Sequence, residues 1–242
     1  QAYARLYLDR LARVAVVAPA VVPEMARQLA LWMAYEDVIR VAQLKTARAR
    51  LEAVRAEVRA KAEEPVHITE FLKPGIEEIA AILPRRLGAV LLRWGERKNR
   101  LDRLRMPMEL RTTTVWGFFR LWLLARMRGL RPRSHRYAAE QAMIERWLDA
   151  IERAAARDEA LAREIVAAAR LLKGYGDTYR RGRGNFELLF ARAIEPAIAE
   201  PGAEATARVK RAREAALADP EGRALEAMLA TGSAVATKAA AE

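Results

Sequence analysis

The stretch Lys173-Gly-Tyr-Gly-Asp-Thr-Tyr-Arg-Arg-Gly-Arg-Gly184 sets four glycines and three arginines within twelve residues. Such a composition suits phosphate chemistry, because glycines let backbone amides approach an anion closely and guanidinium groups pair with its oxygens. The side chains that would carry this are Lys173, Tyr175, Asp177, Thr178, Arg180, Arg181, Arg183 and Asn185. A dinucleotide or P-loop motif also requires a strand leading into the turn and a helix leaving it. Here the preceding REIVAAARLLK has a helical period, and Tyr179 stands where the third glycine of GxGxxG would be. Both nucleotide motifs are therefore excluded. What remains is a corner between helices, with Gly174 ending one, Gly176 and Gly182 permitting reversals and Asn185 capping the next. Alongside that corner the arginines offer an anion or partner contact.

A second cationic feature is broader. From Arg85 to Arg136 there are 15 Lys and Arg against three acids, so this span carries the whole net charge of +12, while the rest of the chain balances 28 against 28. Arg97, Lys98 and Arg100 lie in it and join the anion- or partner-binding candidates. A sequence pI near 10.5 raises nucleic acid or an anionic membrane as partner. Only seven of the 43 basic residues are Lys, an Arg and Ala bias typical of a GC-rich genome, which discounts the raw pI.

Other chemistry is sparse. With no cysteine, disulfides, thiolate nucleophiles and cysteine-held clusters are excluded. Glu64-Pro-Val-His67 mimics a carboxylate-x-x-histidine pair, but Pro65 ends any helix that would place both side chains on one face. His67 and His135 fall in separate connectors, and no serine sits in a nucleophile elbow. Neither a catalytic nor a metal site is expected. No signal peptide is evident, and the setting expected is cytoplasmic.

The elements around these residues are helical throughout, so the fold expected is all-α: a multi-helix bundle with a long N-terminal helix or helical hairpin. A single domain over residues 1–232 is expected, with 233–242 a frayed tail; the chain opens at Gln1 already in helical pattern, as a piece of a longer polypeptide would. A first helix runs from Ala2 to Val14. Pro23 opens a second whose pattern continues to Glu63, about 60 Å at 1.5 Å per residue. Leu44, Leu51 and Val58 recur every seven residues along it, a seam for an antiparallel helix of the same chain or for a second copy. Thr69 is read as a helix cap, and ITEFLKPGIEEIAAILPRRLGAVLLRW as two short helices in a corner. Thr112 to Thr114 cap VWGFFRLWLLARM, whose arginines argue against a membrane span. It reads first as a buried core helix and second as an interface helix. Ser134 and Asp158 cap the long helices that follow, and two weaker helices follow Glu204 and Asp219.

The runs RLLKGYGDTYRRGRGNF, ITEFLKPGIEEIAAILP, RTTTVWGFFRLWLLARMR and YAAEQAMIERWLD resemble the helical C-terminal region of the β subunit of indolepyruvate (aryl-pyruvate) oxidoreductases, of the 2-oxoacid:ferredoxin oxidoreductase family. The resemblance spans at least Tyr35 to Phe190. It implies a parent reaction in which an arylpyruvate is oxidatively decarboxylated on thiamine diphosphate to an acyl-CoA, with electrons passing through iron-sulfur clusters to ferredoxin. Thiamine diphosphate, magnesium, the clusters and coenzyme A belong to that parent enzyme. This chain lacks the Gly-Asp-Gly thiamine signature, since Gly176-Asp177-Thr178 has no second glycine.

The expectation is thus a non-catalytic helical module assisting assembly or docking, with the thiamine and iron-sulfur α subunit and ferredoxin as partners. The alternative is a basic helical nucleic-acid-binding protein. Against it stands the placement of Trp116, Phe118, Phe119 and Trp122 in a run that reads as core instead of as a stacking platform.

Overall fold

The computed structural model describes residues 2–34, 38–98, 107–174 and 176–230. It is an all-α, multi-helix fold with one two-stranded ribbon among the described residues. Where one helical domain over 1–232 is the expectation, the chain divides into two compact units, residues 1–34 with 143–242 and residues 35–142.

The first unit begins with α1 (Ala2–Ala15), a turn at Pro19–Val21 and α2 (Val22–Met33), with Pro23 in its first turn. The continuous helix expected to Glu63 is not formed. The chain resumes in the second unit as α3 (Val38–Lys45) and α4 (Arg48–Glu57), separated at Ala47, whose backbone is extended. The Thr46 hydroxyl donates to the Ala42 carbonyl at 2.8 Å, which closes α3 locally.

Thr69 is not a helix cap. It starts β1 (Thr69–Leu72). Gly75 caps α5 (Ile76–Ile82), and the Glu78 carboxylate accepts from the Gly75 amide at 2.9 Å. Pro84 precedes α6 (Arg85–Arg97), so the two short helices of the corner are present. β2 (Met108–Arg111) pairs antiparallel with β1 in the register Thr69 to Arg111 and Leu72 to Met108. α7 (Val115–Arg126) follows, its Gly117 amide donating to the Thr114 hydroxyl at 3.2 Å. Ser134 then caps α8 (His135–Ala155) by accepting from the Tyr137 amide at 3.2 Å, and the unit boundary falls after Ala142 within that helix. Among the described residues of this second unit, Ala42, Leu110 and Leu121 form a buried cluster with Leu72, Leu124 and Ala125 against it, and Ile39, Ile76 and Ala80 are buried as well.

The remaining helices return to the first unit. Asp158 caps α9 (Glu159–Ala168), accepting from the Leu161 amide at 3.1 Å. That carboxylate also accepts from the Thr206 hydroxyl at 2.7 Å, and these bonds hold its pKa below the usual range. α10 (Gly176–Leu189) runs through a π turn at Phe190–Ile194 into α11 (Glu195–Ala199), and α12 (Ala203–Ala218) packs on α9 through Arg213, which donates to Glu164 at 2.8 Å. A last helical stretch, 223–230, follows the Asp219 cap. The tail expected to fray lies outside the described residues.

This unit holds the large core. Ile144, Trp147, Leu148 and Ile151 line one face of α8 and meet Leu29, Ile165, Phe186 and Phe190, all buried. Trp147 donates its indole N–H to the Ile165 carbonyl at 2.8 Å and lies 5.6 Å from the Trp32 ring. Arg10 and Arg13 tie α1 to α8. Arg10, itself buried, donates to Glu145 at 2.6 and 2.9 Å, and Arg13 reaches Glu145, Asp149 and Glu152.

Gly182 has a packing reason for being glycine. A Cβ on Gly182 would collide with the Leu171 carbonyl oxygen, whereas one on Gly184 would meet nothing within 4 Å. Glycine to alanine in an exposed helix normally gains up to about 1 kcal/mol. Gly184→Ala is therefore expected to stabilise by that order, and Gly182→Ala to destabilise by about 1–2 kcal/mol. Opposite shifts of the two urea midpoints are the check.

Candidate functional site

Only the start of the glycine-rich run is a corner. Gly174 (φ +81°) lies between helices in left-handed backbone as expected, and Gly176 (φ +52°) shares that backbone, but residues 176–184 already form the first turns of α10. Helix is favoured despite the glycines because Asp177 sits in the first turn and pairs with Arg180 at 2.7 Å, while Arg183 pairs with Glu187 at 2.9 Å. Asn185 does not cap a helix. It is buried inside α10 and donates its side-chain amide to the Pro220 carbonyl at 3.1 Å.

Arg181 meets Glu221 at 2.9 Å, so each of the three arginines has a carboxylate of the chain itself. Thr178 lies against Gly174, and Lys173 is exposed just before the helix. Tyr175 and Arg100 lie outside the described residues. Arg97 and Lys98 end α6 in the second unit, so the structure assigns them and the 173–185 residues to different units. Exposed pairs of this kind are worth about 0–1 kcal/mol each. Changing Arg180, Arg181 and Arg183 together to Ala should therefore lower stability by no more than about 2 kcal/mol. Helicity, followed by circular dichroism through a thermal melt, should be nearly unchanged.

The surface that sequence reasoning missed lies in the second unit. α7 is not a buried core helix: only Gly117 and Leu121 are buried, while Val115 is 85% exposed, Trp116 73%, Phe118 44% and Phe119 45%. Two small facts explain this. Gly117 presses so closely on the Arg111 carbonyl that a Cβ there would clash, and the helix touches the unit along the Gly117–Leu121 line, leaving its larger side chains outside. Hydrophobicity alone cannot distinguish burial in the chain's own core from exposure awaiting a partner.

Val115, Phe118, Phe119 and Trp122 recur at the i, i+3, i+4, i+7 spacing of one helix face. They form one wall of an open groove of about 780 Å³. Lys45, Arg48, Arg50, Leu51 and Arg55 line the side formed by the end of α3 and by α4, with Val66, Ile68 and Thr112 to Thr114 completing the lining. Glu70, nearly buried, holds Lys45 and Arg50 at 2.5 Å each. Burial pushes the Glu70 carboxyl up, but the hydrogen bonds and charges of those two cations outweigh it and leave the pKa below the usual range. The two bonds fix the cationic edge of the groove. Arg48 pairs along its own helix with Glu52 at 2.8 Å and is almost fully exposed. Arg55 donates to the carbonyls of Lys61, Ala62 and Glu64, closing the turn after α4.

The seam of Leu44, Leu51 and Val58 is exposed, but it is divided between α3, α4 and the residue after α4 instead of lying on one helix. The ring faces of α7 are partly engaged among themselves. Phe119 stacks on Trp122 at 5.9 Å, Trp116 meets Phe119 edge-on, and the Arg126 guanidinium lies over Trp122 at 4.4 Å. No group of three or more His, Cys, Asp or Glu is placed to hold a metal ion among the described residues. Nor is any described helix long and apolar enough to cross a membrane.

By fold and surface this is an all-helical protein with a well-packed unit and a second, charge-rich unit bearing an apolar groove. The chain belongs to the family described as a family of unknown function (DUF6537), which it matches over residues 1–192. No curated protein and no solved structure matches it.

Proposed function

We propose that the chain is a non-catalytic helical module of an indolepyruvate or other 2-oxoacid:ferredoxin oxidoreductase β subunit, acting in the cytoplasm by docking parts of that enzyme to one another or to ferredoxin. The observation that carries the docking role is the coincidence of exposed apolar surface and charge in one unit. Residues 35–142 hold 23 Lys and Arg against 13 Asp and Glu, a net +10, and also the exposed α7 face. Large exposed apolar patches rimmed by charge mark interaction surfaces. Arginine–carboxylate contacts around such a patch set orientation and association rate, and they weaken with salt.

The oxidoreductase assignment rests on the resemblance of the four sequence runs. The residues present do not fit the parent enzyme's cofactors: there is no cysteine to hold a cluster, and the Asp177 carboxylate that would stand in a thiamine signature is paired with Arg180 in the first turn of α10. Chemistry on those groups belongs to the partner subunit.

A second reading, nucleic-acid binding, gains from one observation. Trp116, Phe118 and Phe119 of the basic unit are exposed instead of buried, as a stacking platform would require.

The test is recovery of the chain from its native source at low and at physiological salt. Co-purification with a cysteine-rich thiamine subunit, with no arylpyruvate oxidation by the isolated chain, is the expected result. Submicromolar binding of an oligonucleotide at about 0.15 M salt, with a steep salt slope, would favour the second reading.

A further inference from the structure

Helix α4 has ten residues and buries none of them. A helix of that length is marginal in water unless an apolar face is packed. Leu51 of α4 looks across the groove toward the Val115, Phe118, Phe119 and Trp122 face of α7, and both walls keep apolar side chains exposed. Two helices flanking an open, largely apolar trough are the arrangement into which a third, amphipathic helix lays its apolar side.

The surroundings give the sign of its polar side. The groove edge is cationic through Lys45, Arg48 and Arg50, in a unit of net +10. A second copy would bring the same positive charge to the same face, which opposes self-association there. Nucleic acid is disfavoured by the lining. The trough is aliphatic as well as aromatic, and Trp122 has Phe119 stacked on it and Arg126 over its ring, so the face a base would need is engaged.

We propose that the groove between α4 and α7 receives an acidic amphipathic helix of a partner polypeptide. Its Leu or Phe residues at i, i+3, i+4 and i+7 fill the trough, and its Glu and Asp residues face Arg48 and the neighbouring cations. This names the surface and the partner chemistry for the docking role proposed above, and rests on that role only for the partner's identity.

The probe is a synthetic helix of about 18 residues with Leu and Phe on one face and Glu on the other. A Lys-for-Glu counterpart, a scrambled sequence and an oligodeoxythymidylate serve as comparisons. Binding is read from tryptophan fluorescence and calorimetry on the full chain.

The acidic helix is expected to bind saturably, at least about tenfold more tightly than its basic counterpart, and more weakly as salt rises. Phe118→Ser and Val115→Ser should each weaken it about tenfold or more, and Arg48→Ala about two- to fivefold, while Leu8→Ser, an exposed apolar change in the other unit, should leave it unchanged. Val115 and Phe118 are both exposed, so a melt identical to the parent's is expected of the two variants.

Equal binding of acidic and basic helices, no binding of the acidic helix, tighter binding of the oligonucleotide, or a concentration-dependent dimer abolished by Phe118→Ser would each overturn the proposal. The docking role is separately tested. A Phe118→Ser chain that still co-purifies with the thiamine subunit contradicts the groove assignment and leaves the role standing. Acidic-helix binding without any such subunit supports the groove and contradicts the oxidoreductase partner.

Discussion

Trp147→Ala is expected to cost the first unit about 3–5 kcal/mol. The indole is fully buried on α8, contacts the Trp32 ring at 5.6 Å and satisfies its N–H with the Ile165 carbonyl at 2.8 Å. Its removal deletes a large apolar contact, leaves a cavity among Ile144, Phe186 and Phe190 that helices tied at both ends cannot close, and strands a carbonyl that had a partner. Whole-domain stabilities are typically about 5–15 kcal/mol, so a melting temperature lower by roughly 10 °C or more is expected. Trp116→Ala is the matched comparison. That ring is 73% exposed, and its removal should change stability by less than about 1 kcal/mol. Near-UV circular dichroism during thermal unfolding separates the two outcomes.

Glu145→Ala is expected to cost about 3 kcal/mol at neutral pH, through a different mechanism. Arg10 is buried, and its donors to Glu145 at 2.6 and 2.9 Å offset the loss of its water. Removing the carboxylate leaves that charge with less compensation, and Arg13 loses one of its three acidic partners. The figure lies at the low end of the range for broken buried pairs because Glu145 is itself partly exposed.

The pH dependence has a definite sign. Burial raises the Glu145 pKa, but the hydrogen bonds and charges of Arg10 and Arg13 prevail and lower it. A carboxyl whose folded pKa is depressed contributes stability above its unfolded pKa and loses it as pH falls through the folded value. The difference between the parent and Glu145→Ala should therefore be constant near neutrality and shrink below about pH 4. Urea titrations at stepped pH read it directly.

The contrast between the two units explains what the sequence could and could not tell. The capping residues Thr114, Ser134 and Asp158 were legible because a cap is a local interaction between a side chain and an amide three residues on. α8 was legible because its apolar period meets a real core. The break at Ala47 was not, since no glycine or proline marks it and the residues around it are good helix formers. The β1–β2 ribbon was missed because Thr69 and Arg111 pair across a long separation that leaves no trace in either short segment.

Residues 173–184 misled in the opposite sense. Their glycines suggested a loop, whereas Gly182 serves close approach to the Leu171 carbonyl inside a helix whose Phe186 and Leu189 are buried. Helix anchored by tertiary packing overrode local propensity there. α7 is the instructive case for function. Its apolar run predicts a buried helix, whereas only Gly117 and Leu121 of it are buried and Val115, Trp116, Phe118, Phe119 and Leu123 are exposed.

The exposed α7 face is the proposed docking surface. Hydroxyl-radical footprinting of the chain, alone and in the assembly recovered from its native source, tests it most directly. Protection of Trp116, Phe118 and Phe119 in the assembly, with Leu8 and Leu31 of the first unit labelled equally in both states, is the predicted result. Equal labelling of α7 in the two states would contradict the account.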